Sequence, residues 1–252
     1  MSEAVRFEAS AGVATLTMDQ PDRRNALTPA LLNGLGDGLA AALADPSVRV
    51  VVLTNTGPAF CAGADLSGRS GPPVEARFSL AVVLTTILDS PKPVVARIAG
   101  HCMGGGVGLA AACDLSVAED TVRFGFTEVR IGVAPAIISV VCLPKLRRGD
   151  ALELFLTGER ISSARAAEVG LITSTAPMDT FDDVVSELVA KLTAGGPGAL
   201  AAAKRLVFDV PALERTDAFA KTTQVSQALF ASDEAAEGIT AFREKRPPSW
   251  AP

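Results

Sequence analysis

Apolar residues fall along this chain in two rhythms, and the change between them divides it. From Val5 to about Ser139 short β-type runs alternate with helical stretches. Val5–Ala9 and Gly12–Met18 read as a hairpin turning at Ser10-Ala11. Thr28-Pro29 supplies an N-cap and first turn for a helix running to about Ala44. Asp45-Pro46-Ser47 ends that helix ahead of a strand over Arg49–Asn55, and Ser67 to Pro73 reads as a mobile loop before a helix around Val74–Asp89. After Pro135 apolar residues recur at three- and four-residue spacing in Ala151–Leu156, Phe181–Leu192, Pro197–Phe208 and Leu213–Leu229, a helical pattern. Such a tail packs on its own core or on another subunit.

Two glycine-rich turns interrupt the first half. Phe60-Cys61-Ala62-Gly63-Ala64-Asp65-Leu66 follows the run Val50–Thr54, and His101-Cys102-Met103-Gly104-Gly105-Gly106-Val107-Gly108-Leu109 follows Val94–Ile98. Small residues let a ligand oxygen reach the main-chain N–H groups, which bulky side chains would block. Gly105 and Gly106 begin a short helix ending near Ala112, whose N-terminus adds partial positive charge. Two such turns facing one point make an oxyanion hole, and the chemistry it serves is enolate stabilisation. The plainer reading is that the glycines allow close packing of helix on sheet.

Composition narrows the chemistry. The chain has 252 residues, 48% hydrophobic and 20% charged, enough for one large domain or one domain with a helical appendage. A net charge of −5 and a pI near 5.0 argue against a nucleic-acid or anionic-membrane partner. No apolar stretch reaches the ~20 residues of a membrane span, and Met1–Arg6 lacks the features of a signal peptide, so a cytoplasmic protein is expected. Cys61, Cys102, Cys113 and Cys142 lack CxxC spacing and read as buried thiols rather than a disulfide framework or metal ligands. No metal site is expected, since His101 is the single histidine and reads as bonding to backbone. Absence of tyrosine rules out phenolic acid catalysis. Gly106-Val107-Gly108-Leu109-Ala110-Ala111 satisfies a GxGxxA dinucleotide fingerprint, but the helix is too short and Glu119 too near for the acidic residue ~20 positions on.

Ala59–Leu66, Pro93–Gly106, Ala112-Cys113-Asp114-Leu115, Phe124-Gly125-Phe126-Thr127-Glu128 and Gly158-Glu159-Arg160-Ile161 occur in an order and spacing that resembles the enoyl-CoA hydratase/isomerase, or crotonase, family. The resemblance extends from Asn25-Ala26-Leu27 to the tail Phe242–Arg246. The α/β fold it implies is crotonase-like (the ClpP/crotonase class): a spiral of ββα units over residues 1–195, then a C-terminal helical trimerisation region over 196–252. It implies an acyl-CoA substrate in fatty-acid or related metabolism, assembly as a homotrimer or dimer of trimers, and no cofactor beyond the coenzyme A of the substrate. Ala64 and Gly105 carry the oxyanion-hole N–H groups. Arg23, Arg24, Ala26 and Leu27 are assigned to coenzyme A contacts, Ala62 and Asp65 to its adenine end, and Phe242 and Lys245 to coenzyme A held by a neighbouring subunit.

The acid/base positions depart from the hydratase pattern that the resemblance supplies. Typical hydratases carry two glutamates, and here the first position is Gly108 while the second is intact as Glu128. A carboxyl near an apolar acyl pocket has a raised pKa and can exchange protons near neutrality. Glu128 alone suffices for a Δ3-Δ2 double-bond shift, whereas water addition needs a replacement carboxylate, with Asp65, Asp114, Glu75 and Glu119 as candidates. The open readings are a hydratase, an isomerase using Glu128 alone, and a non-catalytic acyl-CoA-binding protein. Gly132–Ser139 lacks the usual glycines, and its larger side chains are expected to narrow the acyl end of the pocket, favouring restricted or branched acyl groups.

Overall fold

The computed structural model describes residues 3–66 and 74–251, so the Ser67–Pro73 loop reading lies outside the described residues. A repeating path generates the architecture. Strand β1 (Val5–Ser10) turns into β2 (Val13–Met18) and helix α1 (Pro29–Ala44). Then β3 (Val50–Asn55) and β4 (Ala59–Cys61) lead to α2 (Leu80–Asp89), β5 (Val94–Ile98) and β6 (His101–Met103) to α3 (Gly105–Ala112), and β7 (Leu115–Glu119) and β8 (Arg123–Gly125) to α4 (Ala136–Cys142). Helix α5 (Arg148–Thr157), β9 (Arg160–Ser162), α6 (Ser163–Glu168) and β10 (Ser174–Ala176) follow. The chain finishes with α7 (Phe181–Thr193), α8 (Pro197–Asp209), α9 (Arg215–Phe230) and α10 (Asp233–Glu244).

In each of the three central units the first strand enters a large sheet and the second a small one. The large sheet runs β1-β2-β3-β5-β7-β10, antiparallel only between β1 and β2. The small sheet runs β4-β6-β8-β9, with β9 antiparallel. This is the spiral of ββα units expected from the resemblance. Strand β3 is apolar from Val50 to Leu53 because both its faces are covered: Val51 and Leu53 join the main core, while Val50 and Val52 meet Leu188, Val189 and Leu192 of α7. Phe60, Phe124 and Phe126 are fully buried, and about 1.5–3 kcal/mol for burying each ring holds the short small-sheet strands in place.

Several local expectations hold. Thr28 caps α1, its hydroxyl accepting from Leu31 N–H, with Pro29 in the first turn. Others are corrected. The first hairpin turns at Ala11-Gly12, both at positive φ (49° and 79°) as two-residue turns matching strand twist require, so β1 continues through Ser10. The helix expected from Val74 starts only at Leu80, capped by Ser79. Residues 75–78 give their backbone groups to Asn33 instead: its side-chain oxygen accepts from Arg77 N–H (2.9 Å) and Phe78 N–H (3.3 Å), and its amide donates to Glu75 O (2.7 Å). The glycine turns do not follow the long apolar runs directly, because β4 and β6 intervene.

Candidate active site

That intervention assembles the site. Strands β4 and β6 pair in parallel, with Ala59 opposite His101 and Cys61 opposite Cys102, so the turns leaving them lie side by side. Their contact tolerates almost no side chain. A β-carbon on Gly106 would stand 2.3 Å from Cys61 O, and one on Gly63 would stand 3.0 Å from Met103 O and 3.3 Å from Gly105 N. Glycine therefore serves close packing and backbone access at once. Gly63 and Gly104 also adopt positive φ (84° and 51°), which favours glycine.

The segment before α1 is laced to the first turn. Ala62 N–H donates to Arg24 O (3.0 Å) and Leu27 N–H to Gly63 O (2.8 Å). Asn25, fully buried at positive φ, anchors the segment: its amide donates to Thr56 O and Ala59 O, and its side-chain oxygen accepts from Gln20 N–H. Leu27 reaches the second turn, where a β-carbon on Gly105 would lie 2.3 Å from its Cδ1. Arg23 pairs with Asp65 at 3.5 Å. Thus Arg23, Arg24, Ala26, Leu27, Ala62, Ala64, Asp65 and Gly105 belong to one connected region. Among the described residues, neither Ala64 N–H nor Gly105 N–H has a protein acceptor outside regular secondary structure.

Glu128 reaches this region at the second glycine turn. It lies in a 3-10 turn, Thr127–Ile131, that follows β8, and Gly104 N–H donating to Gly125 O ties that strand to the second glycine turn. Its Oε1 would be 3.1 Å from a β-carbon on Gly104, so the carboxyl sits over the helix entrance. Oε2 is buried without a hydrogen-bond partner. Burial raises the Glu128 pKa above the ordinary carboxylate value, a backbone N–H offsets part of the rise, and no neighbouring charge contributes. A half-buried carboxyl with one unsatisfied oxygen is suited to taking and returning a proton.

The other carboxylate candidates have partners of their own. Asp114 bonds Lys204 and Val94 N–H, Asp65 pairs with Arg23, Glu119 accepts from Thr121, and Glu75 is exposed in the segment before α2. At Gly108 the space for a side chain is taken by Ile138 of α4, a residue that periodicity alone does not single out. Of the larger side chains expected to narrow the acyl end, Ile138 is turned inward at 2% exposure and Pro135 is buried, while Val133 and Ile137 face outward. His101 is exposed and its Nδ1 accepts from Arg123 N–H at 3.1 Å, the backbone role expected of it. Phe242 and Lys245 stand apart, on and just beyond α10, which packs on α9. The single chain does not bring them to the glycine turns.

Residues 8–252 match the family described as enoyl-CoA hydratase/isomerase. A 2,3-dehydroadipyl-CoA hydratase of Escherichia coli (strain K12) is 32% identical over 241 residues, covering 94% of this chain and 94% of its own length. An enoyl-CoA isomerase/hydratase of Mycosarcoma maydis is 32% identical over 251 residues, covering 94% and 92%. A solved enoyl-CoA hydratase of Mycobacterium smegmatis superimposes with a TM-score of 0.88 at 32% identity over 98% of both chains. Another, from Bacillus anthracis, gives 0.90 at 30% identity over 99% of both.

Proposed function

Because the chain belongs to the enoyl-CoA hydratase/isomerase family, whose members act on acyl-CoA thioesters, we propose that it shifts the double bond of a 3-enoyl-CoA to the 2-position, with Glu128 as the only acid/base group. The observation that carries this reading is the Glu128 carboxyl over Gly104, with one oxygen unpartnered and, among the described residues, no second carboxylate acting on it. Relatives named for hydration and for isomerisation both occur, so the family alone does not choose between them.

In the proposed reaction Ala64 N–H and Gly105 N–H hold the thioester oxygen. Ionised Glu128 takes a proton from C2, and the electron pair moves through C1 onto that oxygen, giving a dienolate. Returning the same proton to C4 restores the thioester carbonyl and leaves the double bond between C2 and C3. One carboxyl performs both transfers, and no water is consumed. The two amides stabilise the charge as it develops, an effect worth about 3–4 kcal/mol for one donor in comparable sites.

Coenzyme A is assigned to the groove edge formed by Arg23, Arg24, Ala26 and Leu27, with Ala62 and Asp65 toward the adenine. The lacing of these residues to the oxyanion turn supports that assignment. Phe242 and Lys245 would serve coenzyme A bound by a second copy in a homotrimer or dimer of trimers. Exposed Phe208, Phe219, Phe230 and Phe242 on the last three helices favour such self-association, since α9 buries none of its residues within the chain. A cytoplasmic role in fatty-acid or related acyl-CoA metabolism fits this chemistry, and no helix among the described residues is long and apolar enough to cross a membrane.

The test is turnover of 2-enoyl-CoA and 3-enoyl-CoA of matched chain length by the wild type and Glu128→Gln. Conversion of the 3-enoyl substrate, lost in the variant with thioester affinity retained, is the expected result. Dominant formation of 3-hydroxyacyl-CoA from the 2-enoyl substrate would overturn the isomerase reading. Turnover equal to wild type in the variant would remove Glu128 from the reaction, and no turnover by either protein with the thioester still bound would make the protein a binder.

A further inference from the structure

Two neighbouring gaps line the start of α3, and different side chains fill them. At Gly104 the space where a β-carbon would project ends on the Glu128 carboxyl. Four residues on in sequence, within α3 itself, the space at Gly108 is filled by Ile138: its Cγ2 would stand 2.2 Å and its Cβ 2.8 Å from a β-carbon there. Ile138 is 2% exposed and held firmly, since α4 packs along α3. Cys142 lies one turn beyond Ile138 on α4, and its thiol is raised chiefly by burial and further by the charge of Glu128. Helix α4 therefore packs on α3 with a branched aliphatic side chain on its inward side, in the gap at Gly108.

A buried water is held by two to four polar partners. The residues at these two gaps are glycine and isoleucine, and neither offers a polar side chain with which Glu128 could share a water. Proton exchange with a substrate carbon needs only the carboxyl, whereas adding water needs its oxygen held at C3 while a proton reaches C2.

We propose that Ile138 is the residue that sets the outcome of the reaction: by occupying the gap at Gly108 it keeps a second polar group, and with it a reactive water, away from Glu128. The site then moves a proton and does not hydrate. This inference rests on the acyl-CoA reading above and deepens it.

The test compares wild type, Gly108→Glu, Ile138→Ala, the double variant Gly108→Glu/Ile138→Ala, and Ile138→Ser. Each is followed by melting temperature and by the rates at which 2-enoyl-CoA is hydrated and 3-enoyl-CoA is isomerised. Gly108→Glu alone is expected to melt lower than wild type, because its β-carbon meets Ile138, and adding Ile138→Ala should restore much of the loss. The double variant should hydrate 2-enoyl-CoA about a hundredfold faster than wild type. Ile138→Ser, which removes bulk and adds a hydroxyl without adding anything at position 108, should gain about tenfold in hydration relative to isomerisation. The proposal is overturned if Gly108→Glu melts and hydrates as well as the double variant. It is also overturned if the double variant and Ile138→Ser both gain no hydration while still isomerising. A wild type that does not isomerise, with hydration gained in both variants, would remove the isomerase reading and leave the role of Ile138 standing.

Discussion

The role proposed for Glu128 carries a measurable cost. A general acid/base contributes about 10²–10⁴-fold to rate, so Glu128→Gln should lower kcat by that order in a stopped assay while leaving the Kd for a non-reactive acyl-CoA unchanged. Burial raises its pKa, so the acidic limb of the wild-type kcat profile should lie above the ordinary carboxylate value and vanish in the variant. The linked effect on folding has a definite sign. A pKa raised in the folded state gives stability that is present below the unfolded value and lost as pH rises through the folded one. Glu128→Gln should therefore raise the melting temperature at neutral pH and give no such gain below about pH 4. The cysteines behave differently: burial pushes the thiols of Cys61, Cys113 and Cys142 up to about 12. A thiol-reactive dye should label none of these in the folded protein at pH 8 and all of them after denaturation; labelling of the native state would contradict their burial.

At the scale of elements, the parallel pairing of β4 with β6 sets the two glycine turns side by side, as the proposed oxyanion hole requires. Gly106→Ala places a methyl group 2.3 Å from Cys61 O, a backbone atom that cannot swing aside. The substitution should cost about 2 kcal/mol or more in chemical denaturation and abolish turnover by separating the turns. Gly149 provides a contrast. It lies in α5 with nothing within 4 Å of its β-carbon direction, and Gly149→Ala should stabilise by about 0.4–1 kcal/mol without affecting activity. Equal losses at the two positions would show that helix propensity, not the approach of the two turns, dominates.

For the whole molecule, the attachment of the C-terminal helices to the core turns on a buried ion pair. Lys204 of α8 meets Asp114 at 2.9 Å, with side chains 6% and 15% exposed, and also donates to Ile87 O at 2.8 Å. Asp114 accepts from Val94 N–H as well, yet burial still raises its pKa against the pull of Lys204. Removing the cation leaves that carboxylate inside without its counter-charge, so Lys204→Met should cost about 3–5 kcal/mol. Removal of the exposed pair Lys191–Glu187, 3.7 Å apart on α7, should cost less than about 0.5 kcal/mol. Comparable losses in urea titrations would mean that α8 is held by its apolar contacts instead.

The parts of this protein decided by neighbours in sequence were legible in it. Thr28-Pro29 starts α1 because a hydroxyl cap and a proline act within one turn, and Gly105–Ala112 forms α3 because glycine opens the turn and alanines continue it. The run Val50–Thr54 announced a strand, found as β3. Strands of three residues such as β4 and β6 carry too little periodicity to be read, and their pairing comes from packing between distant segments. Asn33 drew residues 75–78 out of a helix by side-chain bonds that no local propensity contains. Likewise, sequence showed that position 108 is glycine and that Glu128 retains a carboxyl. Only the tertiary structure decided that Ile138, not Ile137, turns inward to fill the vacant space, because which face of α4 meets α3 is set by how two helices dock.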